Sequence, residues 1–193
     1  MKEIITTFLI FLILSLVGCS LGRPVVDKSV NHLLESTLPE RTPAAAKPVV
    51  AIAMPSLPPY LDRRELVTRG EGQIVVHENQ LWSEPLDAAV ARVVAENLRR
   101  LSGSTNIQPA ANFVTRDYTV LIEIRIDRFD PSLDGRLILE CTWKRQPIVG
   151  SAATPVAYQT SVTIVEGSTP MSGRVAAMNE ALARLSREVA ATL

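Results

Sequence analysis

Apolar positions along this chain change their spacing several times, and each change marks an element. Behind Lys2, residues 4–17 form an almost unbroken apolar run that closes on Leu16-Val17-Gly18-Cys19. From residue 20 to 47 no period holds beyond a short cluster at 30–34, which fits a short strand or a turn of helix. Pro24, Pro39 and Pro43 punctuate that stretch, and it reads as a flexible tether. Pro48-Val49-Val50-Ala51-Ile52-Ala53-Met54 is a bounded apolar run that predicts a strand. Pro55, Pro58 and Pro59 block regular structure up to Tyr60-Leu61. Residues 64–69 and 73–78 then predict a hairpin around Gly70 and Gly72.

Helical spacing is clearest from Leu86 onward, where Val90, Val93, Val94, Leu98 and Leu101 share one face. Ser83 is placed as an N-cap, and Glu84 and Asp87 lie in the first turn, where carboxylates suit the helix dipole. Pro85 is tolerated there because its missing N–H would have no partner. Arg92, Glu96, Arg99 and Arg100 form the solvated face, and Gly103 stops the helix. Tyr118, Val120, Ile122, Ile124 and Ile126 then alternate with Thr119, Glu123, Arg125 and Asp127, a half-buried antiparallel strand. Pro131-Ser132-Leu133-Asp134-Gly135 makes a turn, residues 136–144 return, and Tyr158, Thr160, Val162 and Ile164 alternate once more. Val175, Met178, Leu182, Leu185 and Val189 recur at three- to four-residue steps and predict a closing helix, whose alanines favour close approach to the sheet. The sum is an α+β fold. One domain is expected, with a mostly antiparallel sheet and two helices packed on one face.

The N-terminal run needs its own reading. A membrane-spanning helix requires about 20 apolar residues, and residues 4–17 supply fewer, with Thr6, Thr7 and Ser15 among them. That length suits the apolar core of an export signal. Cysteine directly after Gly18 makes the closing residues a lipobox, the signal of bacterial lipoproteins. Cleavage is expected between Gly18 and Cys19, after the Cys19 thiol has taken a diacylglyceryl group. Buried methylenes contribute about 0.8 kcal/mol each, so two or three palmitate-length chains hold firmly where one is marginal. Ser20 follows Cys19 in place of the aspartate that usually retains lipoproteins at the inner membrane. This favours the periplasmic face of the outer membrane in a diderm bacterium. The expected organisation is a signal peptide at 1–18, a lipidated tether at 19–47 and a folded domain at 48–193.

Charge and composition narrow the chemistry. Twenty basic and twenty acidic residues cancel and are dispersed along the chain, so no basic block suggests nucleic acid. With Cys19 acylated, Cys141 has no disulfide partner; it shares an alternating face with Leu137, Leu139 and Trp143 and reads as a small buried residue. His32 and His77 are the only two histidines. No metal-ligand spacing, phosphate-binding glycine loop or glycine-flanked nucleophilic serine occurs, since Ser102-Gly103-Ser104 simply ends a helix. Glu123 and Asp127 beside Arg125 fit a solvated cross-strand network. No catalytic residue, metal or cofactor is expected, and the chain reads as a binding or assembly protein rather than an enzyme.

Residues 54–86 are the unusual stretch. Leu57-Pro58-Pro59-Tyr60-Leu61-Asp62-Arg63-Arg64-Glu65-Leu66-Val67-Thr68-Arg69 mixes aromatic, proline and charged residues without a period, and Leu81-Trp82-Ser83-Glu84-Pro85-Leu86 follows. In one reading Tyr60 and Trp82 are lids over the core, with Asp62 and Arg63 paired locally. In the other, Pro58, Tyr60, Leu61, Asp62, Arg63, Arg69, Trp82 and Pro85 shape a partner surface, because aromatic and arginine residues are enriched at interfaces. The pattern P-x-Y-L-D-R-x-x-L-V-x-R at 58–69, with L-W-x-E-P-L at 81–86, resembles the PqiC (YmbA-like) family over residues 49–193. The resemblance implies an auxiliary lipoprotein of an ABC-type transporter. Such proteins accompany MCE-domain transporters that move phospholipids or other hydrophobic molecules between the two membranes and support envelope integrity. The family usually opens its domain with a Y-x-L strand; here the region reads Val30-Asn31-His32-Leu33-Leu34, so that strand is either absent or rebuilt.

The expected role is a non-enzymatic docking or adaptor subunit, held to the outer membrane through Cys19, with an MCE-domain protein as partner. Self-association into a homo-oligomer is compatible with it. The alternative is a periplasmic carrier that holds a lipid in its own hydrophobic cavity, which requires an apolar pocket between sheet and helices.

Overall fold

Long alternating segments carry the architecture. The computed structural model describes residues 1, 3, 27–42, 49–113, 117–148, 154–165 and 170–193; the signal and lipidation positions Gly18 and Cys19 lie outside them. In chain order the described elements are β1 (Val30–His32), β2 (Val50–Ile52), β3 (Glu65–Arg69), β4 (Ile74–Trp82), α1 (Leu86–Ser102), β5 (Ile107–Pro109), β6 (Val120–Pro131), β7 (Arg136–Pro147), β8 (Val156–Val165) and α2 (Met171–Ala190). They form a single α+β domain. Among the described residues no helix is long and apolar enough to cross a membrane.

The strands make two mixed sheets rather than one mostly antiparallel sheet. A five-stranded sheet runs β5-β2-β6-β7-β8, and a three-stranded sheet runs β1-β4-β3. The β6, β7 and β8 pairings are antiparallel, as alternation predicts, whereas β2 lies parallel to both β5 and β6 and β1 lies parallel to β4. Short parallel strands buried on both faces leave no alternation to read. Val50, Ala51 and Ile52 are accordingly all buried, and β5 escapes sequence analysis altogether.

Both helices cover one face of the larger sheet. Ile122, Ile124, Ile126, Leu137, Leu139, Cys141, Trp143, Val162 and Ile164 project into a core completed by Val90, Val93, Val94, Leu98, Met178, Leu182, Leu185 and Val189. Gly103 ends α1 in the left-handed conformation (φ 72°), and its N–H donates to the Arg99 carbonyl at 2.7 Å. Ser83 is not the N-cap. The residue before the helix is Pro85, which offers no side-chain cap; Asp87 Oδ1 accepts the Ala88 N–H at 2.7 Å, and Glu84 accepts Arg92 Nε at 3.1 Å.

The tether is shorter than expected. Val30–His32 docks as β1, so the first strand is rebuilt rather than absent, and the segment after it buries Leu34 and Leu38. Two arginines of the helix face read as solvated hold this segment down. Arg92 Nη2 donates to the Leu34 carbonyl at 2.7 Å, and Arg100 Nη1 donates to that of Leu38. In return Arg41 Nη1 donates to the Leu101 carbonyl at 2.8 Å, while Glu35 N donates to Asn179 Oδ1 at 3.0 Å. Folded structure therefore starts well upstream of the expected boundary at residue 48. Amphipathic spacing cannot reveal a segment held by two isolated leucines and a few backbone and side-chain hydrogen bonds.

Candidate functional site

The two motif stretches meet in space. The Trp82 N–H donates to the Arg64 carbonyl at 2.7 Å, and the Ser83 N–H to that of His32 at 2.8 Å, so β1, the 61–65 loop and the end of β4 form one ridge. Leu61 and Trp82 turn inward and pack with Leu66, Leu86, Phe129 and Met178. Trp82 is a lid over the core, as one reading of the sequence has it, and Tyr60, named with it there, packs half-buried against that core. Asp62, Arg63 and Pro85 stay exposed and Pro58 is half-buried. Arg63 does not pair with Asp62; its Nε meets Glu65 Oε2 at 3.1 Å.

Beneath this ridge lies a polar cluster centred on Asp130. A β-bulge between Ile126 and Arg128 shifts the pairing of β6 with β7 by one residue. The shift reverses the parity of the strand, so Phe129 enters the core and Asp130 turns to the opposite face. There it is fully buried beneath Tyr60 and β3. Tyr60 Oη donates to Asp130 Oδ1 at 2.7 Å. Arg69 binds both oxygens, Nε to Oδ2 at 2.9 Å and Nη2 to Oδ1 at 3.0 Å, and its guanidinium lies 5.1 Å from the Tyr60 ring centre. Arg128 adds a longer contact, Nε to Oδ2 at 3.4 Å. A bidentate arginine pair of this kind is directional as well as strong. Backbone bonds lock the same seam: Leu133 N donates to the Arg69 carbonyl at 2.9 Å, and Ser132 N to that of Arg136.

Burial, and then the bond to Asp130, push the Tyr60 phenol up from 10 to about 12. Arg69 is held still more firmly protonated by the same carboxylate. The sign for stability follows. A group with a raised folded pKa contributes stability that is present below its unfolded value and lost as pH rises through the folded one. Folding stability is thus expected to fall between about pH 10 and pH 12, with Tyr60→Phe flattening that part of a plot of urea midpoint against pH. An equally steep loss in Tyr60→Phe would remove Tyr60 as its source. Cys141 contributes in the same direction, since burial pushes its thiol up to about 12. It is a buried structural residue behind Trp143 and Thr160.

Chemically, this junction is closed: the carboxylate faces two guanidinium groups and a phenol, and Arg128 also donates to the Ser132 hydroxyl at 3.4 Å. Among the described residues no cluster of His, Cys, Asp and Glu could hold a metal ion. His32 and His77 instead contact Gln80 at 2.6 Å and Thr68 at 2.9 Å. Outside the junction an open groove of about 740 Å³ runs between the β3–β4 tip and the β6–β7 turn, past Arg69, Arg128 and Arg136. Asp130 and Arg128 escaped the sequence reading, which ended the strand at Asp127. Only the Arg128-Phe129-Asp130-Pro131 run, where alternation slips by one, marks the bulge.

Fold and site together describe an α+β domain in which a buried ion-pair junction locks two sheets beneath an exposed, charged ridge. The sequence profile of the family described as "ABC-type transport auxiliary lipoprotein component" matches residues 32–190, and the chain belongs to that family. Membership makes it a membrane-anchored envelope protein of an ABC-type transport system. The structure resembles a Xanthomonas campestris protein of the DUF330 family at 18% identity and TM-score 0.63, over 82% of this chain and 92% of that one. It also resembles an uncharacterized protein solved by crystallography, at 17% identity and TM-score 0.67, over 85% and 97% of the two chains. At these identities the likeness is one of fold. Comparison with curated proteins gives no match.

Proposed function

We propose that this protein is the outer-membrane-anchored, periplasmic adaptor of an MCE-type ABC system that moves phospholipids or other hydrophobic molecules between the membranes. The observation that carries the reading is a lipobox at Gly18-Cys19 in front of a domain that belongs to the auxiliary lipoprotein family. Acylated Cys19 fixes the chain to the leaflet. Docking of residues 30–32 on β4 and of 34–41 on α1 shortens the free tether and brings the domain closer to the membrane surface. The ridge of Asp62, Arg63 and Pro85 meets the MCE-domain partner, while Tyr60, Leu61, Arg69 and Trp82 hold that ridge from below. The role is one of binding, with no chemical step.

The test is an affinity pull-down of tagged, lipidated protein from detergent-solubilised envelopes. Recovery of an MCE-domain protein with its permease or ATPase supports the adaptor. A preparation that lacks all three overturns it.

One observation favours the carrier as a second reading. A recess of about 420 Å³ lies where the two helices end, lined by Val50, Leu101, Ile107, Ala190 and Leu193 with Ser102 and Ser104 at its polar side. Native mass spectrometry of the purified protein distinguishes the two. A retained lipid that is lost in Ala190→Trp, which fills the recess, supports the carrier; a lipid-free wild type removes it.

A further inference from the structure

Two arginines share one carboxylate at the seam between the sheets, and charge is left over. Arg69 takes both oxygens of the buried Asp130 at 2.9 and 3.0 Å. Arg128 is held loosely, at 3.4 Å from Asp130 Oδ2 and 3.4 Å from the Ser132 hydroxyl. Tyr60, the third partner of the carboxylate, is a neutral donor. Arg69, Arg128, Asp130 and Tyr60 together therefore carry one net positive charge. Both arginine side chains are mostly buried, so water and salt screen that charge only in part. A partly desolvated charge without its own counter-ion favours the arrival of an anion.

Both arginines line the open groove of about 740 Å³, whose walls come from different sheets, the β3–β4 tip on one side and the β6–β7 turn on the other. Arg136 lines it too, and gives Nε and Nη2 to Asp134 at 2.8 and 2.7 Å. Arg69 and Arg128 commit the same two nitrogens, so Nη1 of all three arginines has no protein acceptor among the described residues. Asp134 neutralises Arg136. Glu71 also lines the groove, but it stands exposed at the tip, where solvent screens its charge. Beside the arginines the same walls carry Leu133 and Val75, 52% and 37% exposed.

We infer that this groove binds the phosphodiester of a phospholipid headgroup. The phosphate sits on Arg69 and Arg128, and the glycerol end of the acyl chains lies against Leu133 and Val75. Guanidinium groups match phosphate oxygens in geometry as well as in charge. A phosphodiester carries one negative charge near neutral pH and balances the single surplus charge of the junction. Phosphate groups with a second ionisation near pH 6 carry about 1.5–2. Exposed leucine and valine beside the arginines give nothing to inorganic phosphate and suit a lipid. The groove is separate from the recess at the helix ends, and its assignment requires no MCE-domain partner.

Isothermal titration calorimetry of the full-length, lipidated protein in a neutral maltoside detergent tests the site. The probes are dihexanoyl phosphatidylglycerol, dihexanoylglycerol and inorganic phosphate. The phosphatidylglycerol is expected to bind, the phosphate-free glyceride to give no signal, and inorganic phosphate to bind about tenfold more weakly or less. Arg128→Gln should weaken phosphatidylglycerol binding by about tenfold or more, the scale of one charge-assisted hydrogen bond. Arg136→Gln, which leaves the Asp130 junction intact, should weaken it by a smaller factor, and Glu71→Gln should strengthen it. Ala190→Trp should leave it unchanged. Urea midpoints check that each variant folds. If Arg128→Gln does not, the Arg136 and Glu71 variants still move affinity in opposite directions. Absence of phosphatidylglycerol binding, or binding that neither arginine variant weakens, overturns the site. Inorganic phosphate that binds as tightly as the lipid, with the same loss in Arg128→Gln, overturns the headgroup as its source. Equal binding of dihexanoylglycerol overturns recognition through phosphate.

Discussion

Replacing Asp130 by alanine is expected to lower the free energy of unfolding by about 3–5 kcal/mol, read from urea denaturation. The carboxylate is fully buried and is the shared partner of Arg69 and Arg128. Without it two guanidinium groups face each other at the seam between the sheets, and Tyr60 Oη loses its acceptor. The arginine side chains keep 33% and 23% of their exposure. Water reaches them in part, which draws the effect toward the lower end of the range. A domain of this size has about 5–15 kcal/mol in total, so the change is large on that scale. Arg69→Ala should cost less, because Arg128 and Tyr60 remain on the carboxylate. The double variant should then be less than additive, as expected for groups in direct contact. A loss below about 0.5 kcal/mol for Asp130→Ala, the level of an ordinary surface change, would show that the seam does not depend on this ion pair.

Cys19→Ala is expected to have the largest effect in the cell. On the proposed anchoring it removes the only site at which acyl chains attach, and with it the free energy of some tens of buried methylenes at about 0.8 kcal/mol each. The variant should fractionate as soluble or remain at the inner membrane with its signal uncleaved. In a strain lacking the wild-type gene it should restore no more resistance to detergent or solvent than an empty vector. The domain itself is unaffected, so its urea midpoint should match the wild type. Full complementation by Cys19→Ala would show that membrane attachment is irrelevant, and the adaptor reading would fail with it.

Much of the domain was legible because its elements are long enough to show a period. α1, α2 and the β6–β8 strands each repeat an apolar face several times, and Leu86–Ser102 begins and ends close to where its spacing and Gly103 place it. β1 and β5 have three residues apiece, too few for any period to emerge. The candidate site divides the same way. Tyr60, Arg69 and Trp82 stand out as residue types in an aperiodic stretch, yet nothing local says that Trp82 seals the core while Asp62 stays in solvent.

By itself the sequence determined the family and which face of each long element is apolar, since both are written in neighbouring residues. Only the tertiary structure decided which charges meet. Arg69 and Asp130 are 61 residues apart, and Arg92 and Leu34 are 58 apart. Each pairing depends on a bulge, a parallel register or a docked segment that places the partners within 3 Å, and no spacing along the chain encodes that distance.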